Sequence, residues 1–223
     1  MANRRRFQTL PLMDRRSHLD DFAVVVIGAS GGGVEAIAHL FSRLPPDLPA
    51  AIFVTLHIGS NGSILPDIIR QRGFPARHAE QGERIFAGTA LVAPPDHHLL
   101  VRKGSVVLSR GPRENWARPA IDPMFRSAAN AYGARVIGII LTGNLNDGTL
   151  GLQAVKRRGG LAMVQDPEDA ICPSMPASAL AAVAIDRCAP MSQMPEVLYR
   201  AVPDVAALGG KSHIAGSGGP GHG

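Results

Sequence analysis

Cysteine is scarce in this chain, with only Cys172 and Cys188 among 223 residues. Two such residues cannot build a disulfide framework, and their spacing matches no metal-ligand pattern, so both read as buried apolar fillers. Equally missing is any apolar run near the roughly 18–20 residues that a helix needs to cross a bilayer. There is no sign of a signal peptide, because Arg4-Arg5-Arg6 lead into Gln8-Thr9-Leu10-Pro11 rather than an apolar stretch. Nor does a linker or internal repeat divide the middle of the chain. These absences point to one cytoplasmic globular domain with no direct membrane insertion.

Charge is present but uneven. Of the formal net charge of +5, the first 20 residues supply +3, holding Arg4, Arg5, Arg6, Arg15 and Arg16 against Asp14 and Asp20. The rest is only mildly basic, so no nucleic-acid partner is expected. Residues 1–20 read as a basic flexible arm. Residues 209–223, rich in Gly, Ser and His, read as a disordered tail with too little apolar surface to order itself. The globular stretch between them is 21–208.

Inside that stretch strands and helices alternate. Ala23-Val24-Val25-Val26-Ile27 is a short, wholly apolar run ending at Gly28, as a strand buried on both faces requires. Gly33 to Leu44 carries apolar residues at helical spacing and stops before Pro45-Pro46. Ala51–Leu56 is a second strand, followed by a helix through Ile64, Ile68 and Ile69. Between 74 and 112, short pieces such as Ala90-Leu91-Val92 and Val106-Val107-Leu108 are separated by turns, which predicts an antiparallel hairpin section. A helix over 123–132, a strand over 136–141, a helix over 150–158, a strand over 161–165 and a helix near 176–183 follow. The fold class is therefore α/β: a doubly wound, mostly parallel sheet with helices on both faces and a small antiparallel hairpin.

Three strand ends carry chemically capable residues. Gly28-Ala29-Ser30-Gly31-Gly32, between a strand and a helix, has the form of a nucleophile elbow. The same glycine-rich turn also suits a phosphate, so both readings stand. His57 follows the second strand directly, and histidine is the side-chain type suited to act as a base at neutral pH; His97 and His98, after Ala93-Pro94-Pro95-Asp96, are its rivals. His39 lies inside a helix, His78 in an irregular stretch, and His213 and His222 in the tail. Asp147, in Gly143-Asn144-Leu145-Asn146-Asp147-Gly148, is either a turn former and helix cap or the orienter of a histidine.

Taken with other landmarks, these residues resemble the catalytic domain of chemotaxis protein-glutamate methylesterases over about 24–190. The landmarks are Ile27-Gly28-Ala29-Ser30, Leu56-His57, Gln81-Gly82-Glu83, Val92 to His98, Arg118-Pro119-Ala120-Ile121-Asp122, Leu141-Thr142-Gly143, Asn146-Asp147-Gly148 and Met175-Pro176. The resemblance implies a catalytic Ser30, His57 and Asp147, and favours His57 over His98 as base. It implies hydrolysis of glutamate methyl esters on a methylated chemoreceptor or receptor-like protein, with glutamine deamidation as a further activity, and neither metal nor organic cofactor.

Three departures stand out. The family usually has threonine after the serine, where this chain has Gly31. Where the family typically reads Gly-Met-Gly-Asn-Asp-Gly, this chain has Asn144-Leu145, so Gly31, Asn144 and Leu145 form an altered oxyanion or substrate loop. About 20 residues before the domain are too few for the receiver that the full-length enzyme usually carries, so control in cis by receiver phosphorylation is not expected. Two other classes compete: a catalytically weakened homologue acting as a binding module, and a nucleotide-binding domain. Against the latter, Ser30 stands where a dinucleotide fingerprint needs its second glycine, and Asp47 lies among prolines rather than at a strand end.

Overall fold

The computed structural model describes residues 22–57 and 62–208. The basic arm and the tail, with His213 and His222, lie outside the described residues. In chain order the elements are β1 (Ala23–Ala29), α1 (Gly33–Phe41), β2 (Ala50–Leu56), α2 (Leu65–Gln71), β3 (Ala76–His78) and β4 (Thr89–Val92). Then come β5 (His98–Arg102), β6 (Ser105–Ser109), α3 (Ile121–Tyr132), β7 (Val136–Ile140), α4 (Thr149–Arg157), β8 (Leu161–Gln165), α5 (Ser174–Ala182), β9 (Arg187–Ala189) and α6 (Met194–Ala206).

Seven strands form one sheet in the order β3-β4-β2-β1-β7-β8-β9. Every pairing in it is parallel. Strand β1 is central, and its residues divide between two cores. Val25, Ile27 and Ala29 pack with Ile37 and Leu40 of α1 and Leu198 and Val202 of α6. Val24 and Val26 pack on the opposite face with Phe125 of α3, Leu152 of α4 and Ala179 of α5. This is why the strand is apolar throughout rather than alternating. The doubly wound reading and the helices on both faces are as the sequence implies.

The hairpin section is smaller than the sequence suggests. Among the described strands only β5 and β6 pair antiparallel, with an isolated antiparallel bridge from Arg84 to Ser105 beside them. Ala90-Leu91-Val92 belongs instead to β4, which lies between β2 and β3 in the parallel sheet. A short apolar run bounded by turns looks the same in either setting, and only the burial of all three residues distinguishes them. His78 closes β3 rather than lying in an irregular stretch. Neither cysteine is a buried filler. Cys188 is exposed on the three-residue edge strand β9, and Cys172 is half-buried beside the Ser30 turn. Among the described residues, no helix is long and apolar enough to cross a membrane.

Candidate active site

Because β2, β1 and β7 are neighbours and parallel, their carboxyl ends open on one edge. Ala29 is paired with Leu56, so Ser30 and His57 are the next residues of adjacent strands. The His57 N–H donates to the Ala29 carbonyl at 3.1 Å, and the Ser30 N–H donates to the Thr142 carbonyl, just beyond β7, at 3.0 Å. The order of strands reverses at β1, since β2 lies to one side and β7 to the other. A crevice at such a switch point is where open α/β sheets place their ligands.

Asp147 is buried, with His57 Nε2 at 2.7 Å from its Oδ2. It does not cap α4, the helix that follows it. It reaches instead to the start of α3, where Oδ2 accepts the Ile121 N–H at 2.7 Å and Oδ1 accepts the Asp122 N–H at 3.1 Å. Asn115 Nδ2 donates to Oδ1 at 2.6 Å. Burial pushes the Asp147 carboxyl upward, but the bonds from His57, Ile121 and Asp122 outweigh it and hold the group below the usual carboxylate range. A helix N-terminus favours the anion in the same sense. The side chain is thus kept ionised and aimed at the imidazole.

Asp122 returns the favour to α4. Its Oδ1 accepts the Gly151 N–H at 2.6 Å, in the first turn of that helix. Burial, with the Asp147 charge adding to it, raises Asp122 above the usual range despite the Gly151 and Asn115 bonds.

The glycine turn is covered rather than open. A Cβ at Gly31 would lie 2.8 Å from Cys172 Sγ and 3.3 Å from Asn144 Nδ2, and one at Gly32 would lie 2.8 Å from Ile171 Cβ. The thiol therefore fills the volume that a side chain after Ser30 would take, which explains Gly31 at that place. Thr142 secures the same segment, donating from Oγ1 to the Gly31 carbonyl at 2.9 Å and accepting the Cys172 N–H at 2.8 Å. Gly31→Ala is expected to cost about 1–3 kcal/mol of stability through overpacking. Adding Cys172→Ala should recover most of that in a urea-unfolding comparison.

Of the altered loop, Asn144 thus lies against Gly31. Leu145 faces away, 65% exposed at φ 65°, its carbonyl accepting from Ser178 Oγ. Among the described residues, no acceptor bonds the N–H of Gly31 or Gly32. Gly33 donates back to the Ser30 carbonyl at 2.8 Å as α1 begins.

The rival histidines do other work. His98 is buried, its Nε2 donating to the Pro112 carbonyl and its Nδ1 accepting the Ala120 N–H, so it ties both sides of the 112–120 loop. His97 Nδ1 donates to the Pro95 carbonyl and its Nε2 accepts from Arg110. Sequence pattern gives no sign of Asn115, because its partners are 7 and 32 positions away and it lies in no periodic segment.

A serine in a strand-to-helix turn, with a histidine and a buried aspartate from neighbouring strand ends, is the chemistry of an acyl-transfer hydrolase. The family model described as CheB methylesterase matches residues 25–198. The chain belongs to the CheB methylesterase family. A Leptospira interrogans protein, provisionally named protein-glutamate methylesterase/protein-glutamine glutaminase, is 37% identical over 183 residues, covering 81% of this chain and 95% of that one. A protein-glutamate methylesterase/protein-glutamine glutaminase of Anaeromyxobacter dehalogenans is 38% identical over 177 residues, with 78% of this chain and 52% of its own length covered. The crystal structure of the Thermotoga maritima CheB methylesterase catalytic domain superposes with a TM-score of 0.77 at 32% identity, covering 81% of this chain and 98% of that one. Like other CheB methylesterases, the chain is a carboxylic ester hydrolase by family.

Proposed function

We propose that this chain hydrolyses γ-methyl esters of glutamate on a methylated chemoreceptor, in the cytoplasm, with Ser30 as nucleophile. The observation that carries the reading is the buried Asp147 fixed on His57 one strand away from the Ser30 turn. Asp147 occupies Nε2, so Nδ1 is the imidazole nitrogen left to take the Ser30 proton. Oγ attacks the ester carbonyl, and the Gly31 N–H at the head of α1, with Asn144 beside it, holds the oxyanion. The imidazolium then protonates the departing methoxide, and methanol leaves. Water, deprotonated by His57, attacks the acyl-enzyme, releasing the glutamate carboxylate and returning the proton to Ser30.

Packing of Ile171 and Cys172 on Gly31 and Gly32 argues against the nucleotide reading, since a pyrophosphate needs that turn bare. Incubation with a carboxyl-methylated receptor fragment is expected to release methanol. A wild-type protein that releases none overturns the assignment. Ammonia from an unmodified glutamine-bearing fragment, measured alongside, reads out deamidation through the same acyl-enzyme.

A further inference from the structure

We infer that Asn115 is a positioning residue for this hydrolase, dividing the two protons of its amide between the carboxylates of Asp122 and Asp147. Nδ2 lies 2.6 Å from Asp147 Oδ1 and 2.9 Å from Asp122 Oδ2. Both carboxylates are buried, at 1% and 2% exposure, while Asn115 itself is exposed and lies across them. The inference rests on the proposed roles of Ser30, His57 and Asp147.

Two buried like charges ordinarily share a proton, because both cannot ionise without screening. Here the geometry supplies the screening to both at once. Asp147 faces His57 from the end of β2, Asn115 from the 112–120 loop, and Asp122 and the Ile121 N–H from α3. Asp122 faces the Gly151 N–H of α4, Asn115, and the more distant charge of Arg126, which is itself paired with Glu114. Asn115 is the only side-chain donor among the described residues that bonds both carboxylates.

The backbone has been bent to deliver it. Asn115 and Trp116 have φ of 49° and 63°, the left-handed region that non-glycine residues avoid. Asparagine tolerates this region best, and tryptophan poorly, yet Trp116 is 89% exposed and gains little packing there. The loop is held on either side of the strained pair. Arg118 donates to Asp96 and to the carbonyls of Arg110 and Gly111, Glu114 pairs with Arg126, and His98 ties Pro112 to Ala120. Strain over-determined by its surroundings and aimed at a reacting group is the pattern of a positioning device.

Asn115→Gly removes the amide and suits the positive φ, so the fold should persist. It is expected to lower kcat for a peptide γ-methyl glutamate ester about 10- to 100-fold. KM should stay within about twofold, because the amide acts through Asp147 and not on substrate. The part of the acid limb of kcat/KM that reports protonation of the carboxylate pair should move up by about one pH unit as the pair begins to retain a proton. Asn115→Gly with Asp122→Asn removes the like charge, and the acid limb should move back towards the wild-type position. A loop-shaping role alone predicts no such reversal.

The rate of Ser30 labelling by a fluorophosphonate against pH gives the same comparison without depending on the natural ester. Wild type that labels but releases no methanol overturns the substrate assignment and leaves Asn115 testable by labelling. Unchanged rates and acid limb in Asn115→Gly overturn the inference, as does an acid limb that the double substitution leaves displaced. Should Asn115→Gly not fold, Asn115→Asp, which keeps the shape and lacks the donor, must show a larger shift of the same sign.

Discussion

Ser30→Ala is expected to reduce ester hydrolysis by about 10⁵- to 10⁶-fold, as loss of the nucleophile does in serine hydrolases generally. Among the described residues, Thr142, whose carbonyl meets the Ser30 N–H, does not stand in for it. Thr142 Oγ1 is committed to the Gly31 carbonyl and the Cys172 N–H. The Cys172 thiol is packed against Gly31, where a side chain would otherwise stand. The fold should not suffer, because the turn is held through the Ser30 backbone, with its N–H on Thr142 and its carbonyl on Gly33. Methanol release and fluorophosphonate labelling should both vanish while the melting temperature stays near that of the wild type. A variant retaining a tenth of the wild-type rate would place the nucleophile elsewhere.

Asp147→Asn is expected to cost about 10⁴-fold in kcat, for a reason visible in its partners. The carboxylate accepts four bonds, two on each oxygen, and an amide has one acceptor oxygen to offer. With its nitrogen on the Oδ1 side, the amide confronts Asn115 Nδ2 and the Asp122 N–H, donor against donor. With its nitrogen on the Oδ2 side, it confronts the Ile121 N–H and turns His57 Nε2 into an acceptor. The imidazole proton then sits on Nδ1, and the base has nowhere to receive the serine proton.

Stability should fall as well, and in a pH-dependent way. Folding depresses the Asp147 pKa, so its contribution is complete above the unfolded value of about 3.9 and is lost as pH falls through the lower folded value. The melting-temperature gap between wild type and Asp147→Asn should therefore narrow from pH 7 to pH 3. A gap that widens in acid would mean the carboxylate is not stabilised in the folded state.

What the sequence made legible followed from local pattern. The apolar run over β1 and the glycines after it announce a buried strand and a sharp turn, and both are there. Residues 51–56 and 136–141 announce their strands in the same way, and β2 and β7 fall on them. Pairing is not local, so β4 was indistinguishable from a hairpin strand until its neighbours β2 and β3 were known. Strand β9 is three residues long with two exposed, too short for any periodicity. Helix α6 contains Pro195 and Pro203, which read as breakers, although Pro195 occupies the first turn, where a missing N–H costs nothing.

At the candidate site, Ser30 and His57 stand directly after β1 and β2 and Asp147 lies in the turn between β7 and α4, which is why the sequence singles them out. It does not single out Asn115 and Cys172, because their partners lie in segments that meet only in three dimensions: Asn115 meets Asp147 across 32 positions, and Cys172 meets Gly31. The exchange of a side chain at position 31 for a thiol at position 172 is a packing fact that one sequence cannot display.

The reciprocal arrangement of Asp147 on the start of α3 and Asp122 on the start of α4 has a consequence for how the molecule is assayed. Neither carboxylate finds its place until the two helices have docked, so under the proposed mechanism a chain with its secondary structure formed but α3 and α4 apart has Ser30 and His57 and no oriented base. Turnover then counts only fully assembled molecules. Recovery of esterase activity during refolding should trail the return of helical signal and coincide with the docking of that one helix pair, making the enzyme its own gauge of completed assembly.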